Sequence, residues 1–144
     1  MITNLNNAFV PSCPVKSKST ASKEQKGSYL QLTFCKVLKK NHDALIRNGK
    51  KNDKLWLKLG TLKTESFQLG STEIPGCDSL GKTLSASEDE EIWVLLQFFK
   101  NEKHWGKVMA KMMEEPSVGP MVKEFENLTR GSRLITGGFV RLPV

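Results

Sequence analysis

Ile92-Trp-Val-Leu-Leu-Gln-Phe-Phe99 is the stretch whose reading decides the fold. It is apolar on both faces, so it is either a buried central strand or, capped by Ser87 and Glu90, the first turns of a helix. Its aromatic and β-branched residues fit a pleated, enclosed surface, and we read a strand. Downstream, Trp105, Val108, Met109 and Met112 fall at i, i+3, i+4 and i+7, one face of a helix that ends before Pro116. A second helix is predicted over residues 120–129, with Pro120 in its first turn and Gly131 as its stop. Residues 134–142 then read as a closing hairpin around Gly137-Gly138.

Upstream, Leu30, Leu32 and Phe34 alternate with more polar neighbours in residues 28–38, the pattern of a half-buried strand. Residues 39–53 read as an exposed basic connection, because Asn48-Gly49 is a favoured pair for a tight hairpin turn. Leu55, Leu57 and Leu59 alternate with Trp56 and Lys58 in a second predicted strand, and residues 66–69 in a third. The layout is α+β: an antiparallel sheet with two short helices on one face and a C-terminal hairpin. Residues 1–27 hold few large apolar groups and are expected to form a flexible basic N-terminal arm, leaving 28–144 as a single globular domain.

The length of 144 residues fits one core, and a 38% hydrophobic and 26% charged composition fits a folded chain. No apolar run approaches the roughly 20 residues that span a bilayer, and the first residues lack a charged region followed by an apolar one, so neither a transmembrane segment nor a secretory signal is expected. Cys13, Cys35 and Cys77 are odd in number and contain no CxxC pair, which argues against a disulfide framework or zinc site and for a reducing, cytoplasmic compartment.

The net charge of +7 is unevenly placed. Residues 1–63 hold twelve Lys and one Arg against Glu24, Asp43 and Asp53, a net of +10, so the rest of the chain carries −3. Lys36, Lys39, Lys40, Arg47, Lys50, Lys51 and Lys54 concentrate that charge in nineteen residues and are the candidate anion-binding set, for nucleic acid or for acidic lipid. Lys16, Lys18, Lys23 and Lys26 of the arm add to it. Tyr29 and Trp56 are candidates for stacking on a base or resting at an interface. The alternative for Trp56 is a place under the helices.

Gly76-Cys-Asp-Ser-Leu-Gly-Lys-Thr83 matches the phosphate-loop pattern GxxxxGK[ST] letter for letter. Its setting does not: Glu73 and Pro75 precede it, an acidic run comes after it, and no strand ends in the Asp that would complete a magnesium site. A nucleotide-binding loop is therefore the minor alternative. His42 and His104 have no neighbour that makes a metal pair or a nucleophile, and Glu88, Asp89, Glu90 and Glu91 read as a solvated run. No catalytic residue, metal or cofactor is expected, and binding is favoured over enzymatic activity.

Three stretches together resemble rhabdovirus-type matrix proteins of negative-strand RNA viruses. SYLQLTFCKVLKK after the arm looks like the first strand of their globular domain. EIWVLLQFF with its Trp-bearing helix, and KEFENLTRGSRLITGGFVRLP, look like their closing strand, helix and hairpin. Pro11-Ser12-Cys13-Pro14 is similar to the P-[ST]-A-P late motif, with Cys13 where that motif has Ala, and marks Pro11, Ser12 and Pro14 as candidate motif residues. The resemblance implies a structural, RNA-binding and membrane-associated protein of virion assembly, which forms homo-oligomers and bridges nucleoprotein to a peripheral anionic membrane surface in the host cytoplasm. The rival class is a single-stranded nucleic-acid-binding protein, with Trp56 or Tyr29 stacking beside the same lysines.

Overall fold

A computed structural model describes residues 27–129 and 133–143. Four strands form one antiparallel sheet: β1 (Tyr29–Leu38), β2 (Lys63–Gln68), β3 (Glu90–Phe99) and β4 (Ile135–Val140), in the order β2-β3-β1-β4. Four α-helices complete the described residues: α1 (His42–Lys58), the short α2 (Leu80–Thr83), α3 (Glu102–Glu114) and α4 (Val118–Thr129), with a 3₁₀ turn, Lys39–Asn41, before α1. β1 and β2 run parallel with β3 between them, and β3 and β4 run parallel with β1 between them. Each parallel pair is joined by a helical crossover, so the chain is a split β-α-β arrangement, α+β as expected.

Central strands must satisfy two faces and two neighbours, which explains why β1 and β3 are the long apolar ones. They pair over ten residues, from Tyr29 opposite Phe99 to Leu38 opposite Glu90. Alternation sends Thr33, Cys35 and Val37 of β1, with Trp93, Gln97 and Phe99 of β3, toward the helices, and all six are buried. Two clusters hold that layer together. Leu55 and Leu59 of α1 meet Phe99 of β3 with Val108 and Met112 of α3, and Leu45 meets Cys35, Val37 and Trp93. Phe99, 0% exposed, sits at the centre of the first.

Two expectations are corrected. Residues 42–58 are one helix, not a basic connection with a hairpin turn followed by a strand. Burial decides the matter: Leu45, Asn48, Leu55 and Leu59 lie on one helical face against the sheet, while Leu57, which the strand reading also buries, is 48% exposed. Asn48-Gly49 lies inside the helix, at a cost of about 1 kcal/mol for the glycine. The stop lies instead at Gly60, whose φ of +116° lets Thr61 N–H reach the Trp56 carbonyl at 3.0 Å and its own N–H reach that of Leu57 at 3.2 Å. That pair of bonds is a Schellman closure. β4 is the second correction: it pairs with β1 from Tyr29 opposite Val140 to Phe34 opposite Ile135, and does not fold back as a hairpin. Gly138 stands opposite Gln31, where a Cβ would overlap the phenol ring of Tyr29, so the glycines admit a neighbouring ring and do not make a turn.

Other readings hold. The strand at 92–99 is β3, and Ser87 and Glu90 do bond to each other: Ser87 N–H and hydroxyl donate to the Glu90 carboxylate at 3.0 and 2.8 Å, and Glu90 N–H donates to the Ser87 carbonyl at 3.0 Å. They do so in the turn that enters the strand. Those bonds hold the Glu90 carboxyl below the usual carboxylate range. α3 begins where the Asn101 side chain accepts from His104 N–H at 2.8 Å, and it ends before Pro116. The arm, Pro11, Ser12 and Pro14, and the Gly131 stop lie outside the described residues.

Candidate anion-binding and assembly surfaces

An amphipathic helix laid on a sheet turns its polar residues to solvent. With Leu45, Asn48, Leu55 and Leu59 inward, Arg47, Lys50, Lys51, Lys54 and Lys58 fall at i, i+3, i+4, i+7 and i+11 on the outer side of α1, and all five are exposed. Such spacing confines them to a stripe about 100° wide along a rigid element. Asp43 at the first turn is the carboxylate that shares the stripe, where it suits the positive end of the helix dipole. Lys51 also reaches Glu124 of α4 at 4.0 Å, with both side chains largely in solvent.

The candidate set therefore divides. Arg47, Lys50, Lys51 and Lys54 are brought together, with Lys39 and Lys40 exposed in the 3₁₀ turn at the N-terminal end of the same helix. Lys36 is apart from them: it lies on β1 opposite Ile92, on the sheet face away from the helices, and feels the Glu90 carboxylate. Lys58 belongs to the stripe, and its helical spacing from Lys54, Lys51 and Arg47 was the signal that a strand reading hides.

Away from the helices the sheet presents a different surface. Leu30, Leu32 and Phe34 of β1 stand opposite Phe98, Leu96 and Val94 of β3. Phe67 of β2 and Phe139 of β4, each 51% exposed, extend this apolar face toward the two edges. Among the described residues no helix of the core layer covers it. The loop containing α2 closes only its end, near Ile92. Lys63 and Glu65, on the same face, pair with each other at 2.7 Å, and the Lys63 ammonium lies 5.9 Å from the Phe98 ring centre.

Tyr29 and Trp56 are packed in the helix layer: Trp56 meets Phe99 edge-on with centroids 6.3 Å apart, and Tyr29 meets Phe99 and Trp105 at 6.5 and 6.0 Å. Packing under the helices is thus the reading the structure takes, and neither ring is displayed beside the lysines. His42 donates or accepts at Nδ1 with the Glu91 carboxylate 2.5 Å away, and Trp93 Nε1–H donates to that same oxygen at 2.9 Å. This cluster ties the start of α1 to β3. His104 Nδ1 accepts from Lys100 N–H at 3.0 Å, and burial, helped by Lys100, holds its pKa below the ordinary 6.5. The Cys35 thiol is pushed up to about 12 by burial, while Cys77 is exposed and free. Such a buried thiol is inert at neutral pH.

Residues 76–83 lack the setting of a phosphate loop. β2 ends at Gln68, eight residues before Gly76, and the Gly-Lys-Thr end of the stretch lies within the four-residue α2, capped by Ser79, with no longer helix behind it. Among the described residues no cluster of three or more His, Cys, Asp or Glu is placed to hold a metal, and no helix is long and apolar enough to cross a membrane. The class defined so far is an α+β domain with a basic helical side and an apolar sheet side. Comparison with family models and with curated proteins finds no match.

Proposed function

We propose that this chain is a non-enzymatic binding and assembly protein, matrix-like in action. In this reading the outer side of α1 docks on an extended anionic surface, acidic lipid or nucleoprotein, and the apolar sheet face serves self-association. One observation carries it: Arg47, Lys50, Lys51, Lys54 and Lys58 are aligned on the side of the helix layer opposite to Phe67, Phe98 and Phe139. A row of cations on a straight element matches a flat charged surface, each base near an acidic membrane contributing about 1 kcal/mol. An exposed apolar sheet face is the kind of surface that partners cover. The resemblance to viral matrix proteins agrees with this division of labour and with work at the inner face of a membrane in the host cytoplasm.

The second reading, a single-stranded nucleic-acid binder, draws on the four-stranded sheet and the phenylalanines of its open face, a platform on which bases stack. Stacking binders need their cations beside that platform to hold the backbone. Here Lys63 is engaged with Glu65, and the basic stripe lies behind the sheet.

The test compares sedimentation with phosphatidylserine vesicles and anisotropy with single-stranded RNA at two salt concentrations. The expected result is salt-sensitive vesicle binding that falls about a thousand-fold when Arg47, Lys50, Lys51 and Lys54 are changed to Glu, as about 4 kcal/mol of attraction is removed. Tight RNA binding that survives those substitutions and is lost in Phe98→Ala overturns the reading in favour of the second.

A further inference from the structure

The sheet has two outer strands, β2 and β4, and they are built differently. β2 carries Lys63 and Glu65 within its six residues, and charges on an outer strand protect it from pairing with another chain. β4, Ile-Thr-Gly-Gly-Phe-Val, carries no charge and has apolar groups on both faces. Ile135 and Phe139 stand on the open face, half exposed, and Val140 stands on the helix face at 69% exposure. Leu134 and Leu142, just beyond the two ends, are 50% and 70% exposed. A strand apolar on both faces is the pattern of a central position, and here it occupies an edge.

Register fixes which way the β4 backbone points. Arg141 N–H donates to the Ser28 carbonyl at 2.8 Å, and in an antiparallel ladder every second residue repeats that bond, so Phe139, Gly137 and Ile135 turn their N–H and C=O groups to β1. Thr136, Gly138 and Val140 turn theirs outward, and among the described residues no backbone group meets them. The Arg141 guanidinium donates to the Gly27 carbonyl at 2.8 and 2.9 Å and pins the end of the strand. The edge is thus an extended row of donors and acceptors between two apolar faces, whose complement is another extended strand. The sequence of β4 fits itself. With a two-fold axis at Gly138, antiparallel pairing sets Thr136 against Val140 and Leu134 against Leu142 of the second copy, so outward N–H groups meet outward C=O groups. Arg141 then faces Ile135, and no like charges are opposed, whereas an axis at Gly137 sets Arg133 against Arg141.

We infer that β4 is a pairing edge for a second copy of this chain, which joins two four-stranded sheets into one continuous antiparallel sheet. The axis stands perpendicular to the sheet, so both open faces lie on one side and both basic stripes on the other. This contact is separate from the self-association through the open face proposed above and does not depend on it. Phe139 borders both surfaces, Phe67 lies on the open face at the far edge, and the outward N–H of Val140 belongs to the β4 edge alone.

The test uses the full chain and combines amide hydrogen exchange, followed by NMR, with analytical ultracentrifugation. The expected result is a dimer in which exchange at Thr136, Gly138 and Val140 slows about ten-fold as concentration rises. Ser66 and Gln68, which point outward from β2, should exchange freely throughout. Val140→Pro removes an outward donor without touching the ladder to β1, and should weaken dimerisation about ten-fold with circular dichroism unchanged. Val140→Lys, which charges the edge and keeps the backbone donor, should weaken it in the same direction, while Phe67→Glu leaves the three amides protected. Protection of those amides in a sample that ultracentrifugation shows to be monomeric makes another segment of the same chain the occupant and overturns the inference. So does a chain that stays monomeric at every concentration, or free exchange at all three amides in a self-associated sample. Self-association that survives Val140→Pro and is lost in Phe67→Glu also overturns it and leaves the open-face reading standing.

Discussion

The two sides of this domain are built on opposite principles. On one side α1 turns Leu45, Leu55 and Leu59 to the sheet and five bases outward, so most of its apolar surface goes to the core, with Ile46 and Leu57 left exposed, and its charge faces solvent. On the other side the sheet has no such layer, and Phe67 and Phe139 remain half exposed beside half-buried Phe98, with Lys63 and Glu65 paired among them. A partner approaching the first side meets mainly cations, with Ile46 and Leu57 exposed beside them, and one approaching the second meets apolar surface with little net charge. The difference teaches that the basic half of the sequence and its aromatic residues do not combine into one site. Composition placed them together within a few dozen residues, and the fold separates them by the thickness of a sheet.

The largest expected effect sharpens this contrast in stability. Phe99→Ala, at the centre of the helix-side core, should destabilise by about 3–5 kcal/mol, whereas Phe67→Ala on the open face should cost below about 1 kcal/mol. Urea unfolding monitored by circular dichroism measures both. Equal losses would mean that the open face is itself packed, and the contrast would break.

Trp56→Ala comes next, at about 3 kcal/mol of stability, with vesicle and RNA affinity unchanged when compared at a temperature where the variant is folded. An affinity loss in that folded variant would return Trp56 to the binding surface.

The same helix-side layer carries a smaller, pH-dependent effect. Because the folded state holds the His104 pKa below 6.5, its contribution to stability is fully present above pH 6.5 and is lost as the pH falls through the lowered folded value. Thermal unfolding should therefore shift to lower temperature on acidification below pH 6.5, and His104→Asn should remove a part of that slope. An unchanged slope in the variant would show that the imidazole is solvated and not enclosed.

The sequence made some of this legible and hid the rest for identifiable reasons. β1 and β3 were readable because a central strand must be apolar on one or both faces, and Trp105, Val108 and Met112 of α3 because their spacing fits no strand. α1 was hidden by two coincidences. Leu55, Leu57 and Leu59 have period two, although only the first and last, at i and i+4, are buried, and Asn48-Gly49 carries a turn signal that tertiary burial of Asn48 overrides. β4 was hidden because a Gly-Gly pair marks a turn in a sequence, while here it makes room for Tyr29, a contact 109 positions distant that no local pattern contains. The basic residues were found by counting, and their alignment on one side of a helix, including Lys58, became visible only with the helix itself.

The central claim is that the two sides act independently, and a crossed pair of variants tests it most directly. One variant reverses Arg47, Lys50, Lys51 and Lys54 to Glu; the other places Glu at Phe67 and Phe139. Each is measured by analytical ultracentrifugation for self-association and by sedimentation with phosphatidylserine vesicles, after circular dichroism has shown the fold intact. The account predicts that the first loses vesicle binding and keeps its self-association at moderate salt, and that the second shows the converse. Loss of both properties in either folded variant, or of neither in both, would contradict it.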